Sequence, residues 1–497
     1  MSAFFPGEKQ LNPRTPVIIG VAQHLQKLDD ARDGLEPVQM MVKAAEAAGE
    51  DARVKGILGQ VESVRVIRGV WRYHNPARFV AEAIGVPNAE TVGTPFGGNT
   101  VQSLVNHSAL QILAGERELV LMTGAENGHS QARARKGGFR LPVTECPGAY
   151  DVDFGDLGPM AGEAEMARGM RAATAMYPIF ENAIRYARGE SLEAHITRVS
   201  ELWSRFSAVA EGNPNAWLRS ARSAEEIRTP SASNRPVSFP YPKLMNSNNA
   251  VDMSAALIIA SVAKARALGV PESQWVYPLA GTDAHDHYLV SERDNLHSSP
   301  GIRLSGQRLA AMLGDDLSAM DHIDIYSCFP SAVQVGAAEL GLDENRQLTV
   351  TGGLTFGGGP LNNYVMHSIA RTVEVCRAAP GSRGLVTANG GYLTKHALGV
   401  YSTGAPAVDF QHANVQDQVD ALPRREWTVD HDGPATIESY TVLYGADGPN
   451  IAHAACLLED GRRTWANNED RTVLDAMVTE EFCARPVAID GAGNFSL

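Results

Sequence analysis

Three side chains in the second half of the sequence could carry covalent or proton-transfer chemistry: Tyr326, Cys328 and His396. A cysteine thiolate attacks carbonyls, but a cysteine on an apolar strand such as HIDIYSCF can equally be inert packing. A tyrosinate is a base, yet with a reference pKa of about 10 only about one phenol in a thousand is ionised at pH 7, a handicap of roughly 4 kcal/mol unless the site lowers it. Nearby helix N-termini would help. Without them Tyr326 reads as a half-buried strand-end residue. His396, in GGYLTKHALGV, follows an apolar strand closely enough to face a shared pocket and shuttle protons near pH 7, or to be a hydrogen-bonded structural histidine. The run Asp283-Ala-His285-Asp286-His287 puts two histidines on one strand face without a third or fourth ligand by spacing, so a solvated loop and no metal are expected. Gly97, Gly98, Gly358 and Gly359 stand at turns before helices, where bare backbone N–H groups can hold a carbonyl oxygen. The basic stretch Arg133, Arg135, Lys136 and Arg140 is either a set of phosphate contacts or an exposed face.

These groups need elements to position them, and the sequence supplies the elements twice. Phe96-Gly97-Gly98-x6-Val105-x-His107-Ser108 recurs 260 residues later as Phe356-Gly357-Gly358-x6-Val365-x-His367-Ser368. Each copy is a glycine-rich turn entering a helix, expected at 100–114 and 361–376. Each is followed by an apolar strand, ELVLMTGAE and RGLVTANGG, and preceded by another, PVIIGVAQ and HIDIYSCF. Strands alternating with helices imply parallel sheets covered on both faces, so two packed α/β/α halves are expected. His107 and His367 match across the repeat and are expected to serve helix packing. Between the halves, residues 127–244 lack this rhythm and read as a large insertion. After residue 402 short apolar runs broken by Asp432-Gly433, Asp447-Gly448 and Asp460-Gly461 predict hairpins and a small β-rich domain.

At 497 residues the chain should hold about three domains. Its 44% hydrophobic and 20% charged residues are ordinary globular values. The formal charge of -14, with no long basic run, argues against nucleic acid as a partner. No window approaches 18 uncharged apolar residues and the amino terminus lacks an apolar leader, so no membrane segment and a cytoplasmic location are expected. Five scattered cysteines without C-x-x-C spacing suggest neither disulfides nor zinc.

Several motifs carry a resemblance to the thiolase superfamily. RPVSFPYPKLMNSNNAVDMSAALIIAS, residues 235–261, resembles the thiolase segment ending in Asn-x-Ser…Asp-Gly-Ala-Ala, with Asn246, Asp252, Ala255 and Ala256 in matching places. TVQSLVNHSALQILAGERELVLMTGAENGHS resembles the nucleophile helix and following strand, TGGLTFGGGP the Gly-Gly…Gly-His-Pro loop, and IYSCFPSAV the His-Asp-Cys-Phe element of sterol-carrier-type thiolases. With its carboxy-terminal extension the chain is most similar to type 1 thiolase-like proteins, often labelled acetyl-CoA acetyltransferases. The resemblance implies a duplicated α/β/α/β/α core with a loop-domain insertion: residues 14–270 as the first half including loop domain 127–244, 271–402 as the second half, and 403–497 as an additional β-rich domain. It also implies an acyltransferase of lipid metabolism using CoA or acyl-CoA as substrate, with no permanently bound cofactor. Asn246 and Asn248 would then lie beside the pantetheine arm.

The same alignment empties the catalytic positions. Gly97 stands where the nucleophilic cysteine belongs, Gly359 where the activating histidine precedes proline, and Ala388 or Asn389 where the second cysteine falls. Tyr326 also matches the Tyr-Asp-x-Phe motif of thiolase-fold aldolases, with Ser327 in place of the Asp. That implies a retro-aldol route for a β-hydroxyacyl-CoA, with tyrosinate as base and no covalent intermediate. A non-catalytic acyl-CoA binding or scaffold protein is the remaining reading. A homodimer, or a partner carrying a small domain, is open by analogy.

Overall fold

The computed structural model describes residues 11–497. Two mixed sheets face each other across a pair of helices. The first sheet runs Pro16–Leu25, Asp252–Ser261, Leu119–Asn127, Ser63–Val66, Glu90–Gly93 and Val152–Asp153 in spatial order. The second runs His322–Asp324, Arg383–Gly390, Lys395–Ser402, Tyr277–His285 and Gln411–Asn414. The glycine-rich turns lead into the first central helix, Thr100–Ala114, and the second, Tyr364–Ala378, each of which touches strands of both sheets. Pro37–Asp51 covers the outer face of the first sheet and Pro300–Leu313 that of the second. The duplicated layered core is therefore present, and the apolar strands LVLMTGAEN and RGLVTANG are buried because helices cover both faces.

The sheets are mixed where parallel ones were expected. Asp252–Ser261 runs antiparallel to both its neighbours, and Lys395–Ser402 to both of its own. Only four residues, 391–394, join Arg383–Gly390 to Lys395–Ser402, and a connection that short can only fold back as a hairpin. The strand expected over 322–329 is shorter, His322–Asp324, because Ile325 and Tyr326 donate their N–H groups to Leu348 O and Thr387 Oγ1 and Pro330 then opens a helix. The repeat also diverges at its second copy. Gly353–Gly357 forms a π turn and Phe356 is buried, whereas Phe96 is exposed at a cavity mouth.

The segment between Asn127 and Asp252 carries helices joined by long irregular stretches, with Ala173–Ala187 and Leu192–Gly212 the longest helices. Beyond Asn414 the predicted hairpins appear: Gly433–Gly445 and Gly448–Leu457 turn at Asp447-Gly448, and Arg463–Asn468 follows after Asp460-Gly461. This third sheet is bolted to the insertion. Ser439 Oγ donates to Ile179 O at 2.5 Å, Asn182 Nδ2 donates to Tyr440 O at 2.8 Å, and Arg185 pairs with Glu481. Phe239 N donates to Val442 O at 2.8 Å, so a short insertion strand, Pro236–Ser238, extends the sheet. Among the described residues no helix is long and apolar enough to cross a membrane.

Candidate active site

The carboxyl ends of the second-sheet strands and the two glycine-rich turns enclose a cavity of about 410 Å³. Gly97 and Gly98 enter it from the first central helix, Tyr326 and Cys328 from the end of His322–Asp324, Asn389 from Arg383–Gly390, Asn246 from the insertion's last turn, and Tyr177 from helix Ala173–Ala187. Sequence order separates these residues by up to 292 positions, from Gly97 to Asn389, and the duplicated fold brings them to one place.

Tyr326 is the best-placed polar side chain. Its ring packs edge-on against Tyr364 at 5.5 Å, and Tyr364 in turn donates to Asp324 Oδ1 at 2.8 Å. Asp324, fully buried, also accepts from Val350 N, Thr351 N, Thr349 Oγ1 and Thr351 Oγ1, which ties the turn before the second glycine loop to the same strand. The Tyr326 hydroxyl itself makes no hydrogen bond among the described residues. Burial, with a smaller contribution from Cys328, holds the phenol well above its ordinary range. The condition for a tyrosinate base is therefore not met, and Tyr326 is a neutral donor. Burial likewise pushes the Cys328 thiol up to about 12, which removes the thiolate needed for attack at neutral pH.

Gly98 explains itself through Tyr326. A Cβ there would lie 2.5 Å from Tyr326 Oη and nearer still to the Asn389 carbonyl oxygen. Gly98→Ala is expected to displace the tyrosine or the strand, lowering stability by about 1–3 kcal/mol and abolishing ligand binding, as read by thermal unfolding and calorimetric titration; a variant of wild-type stability and affinity would contradict this geometry. At Gly97 a Cβ would meet Asn99 Oδ1 at 2.7 Å and Lys395 Nζ at 3.1 Å. The space beside Gly97 is thus filled by Asn99 and by Lys395, whose ammonium donates to Leu157 O at 2.8 Å and Phe96 O at 3.3 Å.

Two amide oxygens complete the site. Tyr177 Oη donates to Gly391 O at 3.2 Å and accepts from Leu393 N at 3.0 Å, so its contact with Asn389 at 2.9 Å uses the Asn389 NH2 group. The Asn389 side-chain oxygen, Oδ1, is then left buried without a partner among the described residues, and so is that of Asn246, whose amide donates to Pro242 O at 2.8 Å. Both residues line the cavity.

Other expected site residues lie elsewhere. His396 is on the opposite face of its strand from Lys395, and its Nε2 meets Asp286 Oδ2 at 3.0 Å and Ser299 Oγ at 3.3 Å on the outer-helix side. The period of two along Lys395–Ser402 is the cause: Lys395 and Tyr401 face the first central helix, so His396 cannot. Gly358 and Gly359 sit behind the wall, where their Cβ positions face Met253, Trp217 and Asn249. Asn248 contributes only backbone, from N to Leu354 O and from O to Gly359 N. Arg133 is spent on the carbonyls of Leu28 and Asp29, and Arg135, Lys136 and Arg140 are exposed away from the cavity. The one charged side chain in the lining is Arg171, which makes no ion pair among the described residues. Tyr177, Arg171 and Lys395 were not singled out from the sequence; alternation along LTKHALGVYS was the only available signal, and it pointed to Lys395.

The match to the family described as thiolase-like protein type 1 additional C-terminal domain covers residues 414–493. Curated proteins give no match. Among solved structures, a monomeric SCP2-thiolase like protein type 1 from Mycobacterium smegmatis is 32% identical, with 98% of this chain and 100% of that chain covered at a TM-score of 0.85. The Ltp2-ChsH2(DUF35) aldolase is 19% identical over 78% of this chain and 98% of that one, with a TM-score of 0.59. The dimeric peroxisomal thiolase of Saccharomyces cerevisiae is 14% identical over 79% and 98%, with a TM-score of 0.56. The last two share the fold, while the first matches the whole chain together with its added sheet, and this chain therefore belongs to the SCP2-thiolase-like protein type 1 family.

Proposed function

We propose that the cavity takes the acyl end of a CoA thioester and holds it without covalent attachment. One observation carries the reading: the space beside Gly97 is filled by Asn99 and Lys395, while Tyr326, whose hydroxyl makes no hydrogen bond among the described residues, lines a cavity of ligand size together with Asn246 and Asn389, whose amide oxygens are buried and unpartnered there. A neutral Tyr326 donates to the thioester carbonyl, and the two amides, turned toward the ligand, accept donors such as pantetheine N–H groups or an acyl hydroxyl. Arg171 at the cavity edge takes over the phosphate role first expected of Arg133, Arg135 and Lys136. Because the 32%-identical relative is a monomer, we take the chain to work without a homodimeric partner.

Calorimetric titration with CoA, acetyl-CoA and a long branched acyl-CoA tests this. Affinity is expected to rise with the acyl group, and Tyr326→Phe to weaken acyl-CoA about tenfold while leaving CoA unchanged, the effect of one lost hydrogen bond of roughly 1.4 kcal/mol. No binding by any of the three would overturn the proposal. A retro-aldol cleavage of a β-hydroxyacyl-CoA is the second reading, favoured by the Tyr326 hydroxyl having no partner among the described residues. Ligand binding would then have to draw the phenol down toward neutrality, and Tyr326→Phe would lose turnover while keeping CoA affinity.

A further inference from the structure

A second site lies at the other end of strand His322–Asp324. Tyr326 follows this strand at the acyl cavity, and His322 begins it, about 13 Å away along an extended chain. Beside His322 a cleft of about 750 Å³ opens between helix Leu192–Gly212, residues 346–350 and helix Tyr364–Ala378. Three guanidiniums line it, Arg205, Arg346 and Arg371, against one carboxylate, Asp321. In a chain of formal charge -14 such a grouping is a local reversal of sign.

Two of the three arginines, Arg205 and Arg346, are anchored but not neutralised. Arg205 Nη2 donates to Glu344 O at 2.8 Å, and Arg346 donates to Ser318 O at 2.7 Å and Met320 O at 2.6 Å; neither meets a carboxylate among the described residues. Arg371 pairs with Glu374 at 2.7 Å, and Asp321 is engaged by Arg383 N at 2.8 Å. Three nitrogens of lining residues, Arg205 Nε, Arg371 Nε and His322 Nε2, are buried with no partner among the described residues. Buried polar atoms are nearly always satisfied, so three orphans on lining residues from three elements leave unused donor capacity beside this cleft.

We infer that this cleft binds the pyrophosphate or phosphomonoester group of a small molecule. Forked guanidiniums match such oxyanions, and a multiply charged anion answers more than one unpaired arginine. The site is independent of the acyl cavity, and its test does not require that the cavity bind anything.

Thermal unfolding and calorimetry with inorganic pyrophosphate are the measurements. The melting temperature of the full chain should rise at millimolar pyrophosphate, and Arg205→Gln or Arg346→Gln should each weaken binding about tenfold, with the ligand-free melt showing which variant is folded. Arg135→Gln, on the exposed face, should bind as wild type. Repeating the titration in saturating CoA separates two sources of the anion: additive shifts mean a separate phosphorylated metabolite, and a lost pyrophosphate shift means the phosphates of CoA itself. No shift in the wild type, or a shift kept in full by the folded variants, overturns the inference.

Discussion

His195→Ala should lower the free energy of unfolding by about 3–5 kcal/mol, read as a fall in the urea midpoint. The ring lies inside the insertion with Nε2 2.5 Å from Glu181 Oε1 and Nδ1 2.6 Å from Glu190 Oε2. Glu181 is completely buried. Burial alone would raise its carboxyl, but the hydrogen bond and charge of His195, with Tyr241 and Gln334, hold it below the usual range. Removing the ring leaves that carboxylate buried without its main partner, which is the costly way to break such a pair. The double variant Glu181→Gln with His195→Gln should lose less than His195→Ala alone, because no carboxylate is then stranded. Glu190, held near 2 by Arg198 and His195 against the opposing effect of burial, adds a pH dependence. A carboxyl depressed in the folded state contributes stability above its unfolded value, near 4.5, and that contribution is lost as the pH falls toward 2. A His195→Ala midpoint within about 1 kcal/mol of wild type would show that the network does not hold the insertion together.

Arg463→Ala should cost at least as much, about 4 kcal/mol. The side chain is fully buried between the third sheet and residues 290–294. It donates to Val290 O at 3.1 Å, Ser291 O at 2.9 Å and Arg293 O at 2.6 Å, and pairs with Glu438 at 2.7 Å. Truncation strands the Ser291 and Arg293 carbonyls and the Glu438 carboxylate together, while Val290 O keeps the N–H of Arg293. Arg463→Lys should recover little, since one ammonium cannot reproduce the planar fork. The exposed pair Arg471–Asp475 is the natural control, and Arg471→Ala should change stability by less than about 1 kcal/mol. Equal losses for Arg463→Ala and Arg471→Ala would refute the docking role.

Much of this fold was legible because it is written twice. The Phe-Gly-Gly repeat located both central helices, and the Asp-Gly pairs at 447–448 and 460–461 marked two turns of the third sheet, whereas Asp432-Gly433 leads into the strand Gly433–Gly445 and makes no hairpin turn. Strand direction was not legible, because an apolar run buried on both faces reads the same whether its neighbour is parallel or antiparallel. At the site, Gly97, Gly98, Asn246, Tyr326 and Cys328 could be named from motifs, and the structure gathers them around one cavity. His396 and the basic stretch could not be placed correctly from proximity in sequence. The side of a strand on which a residue projects, and the path of an insertion, depend on register and packing that single-sequence motifs do not encode. Tyr177 and Arg171 belong to that insertion and carried no signal of their own.

Helix Ala173–Ala187 faces two ways. Toward one side it presents Tyr177 to the cavity; toward the other, Ile179 O and Asn182 are claimed by strand Gly433–Gly445 and Arg185 by Glu481, all more than 240 residues later. Synthesis from the amino terminus therefore delivers the wall long before the sheet that braces it. A nascent chain released at residue 410 would own every side chain that lines the cavity and still lack the support behind one of its walls, so the pocket is braced only by chain made after it.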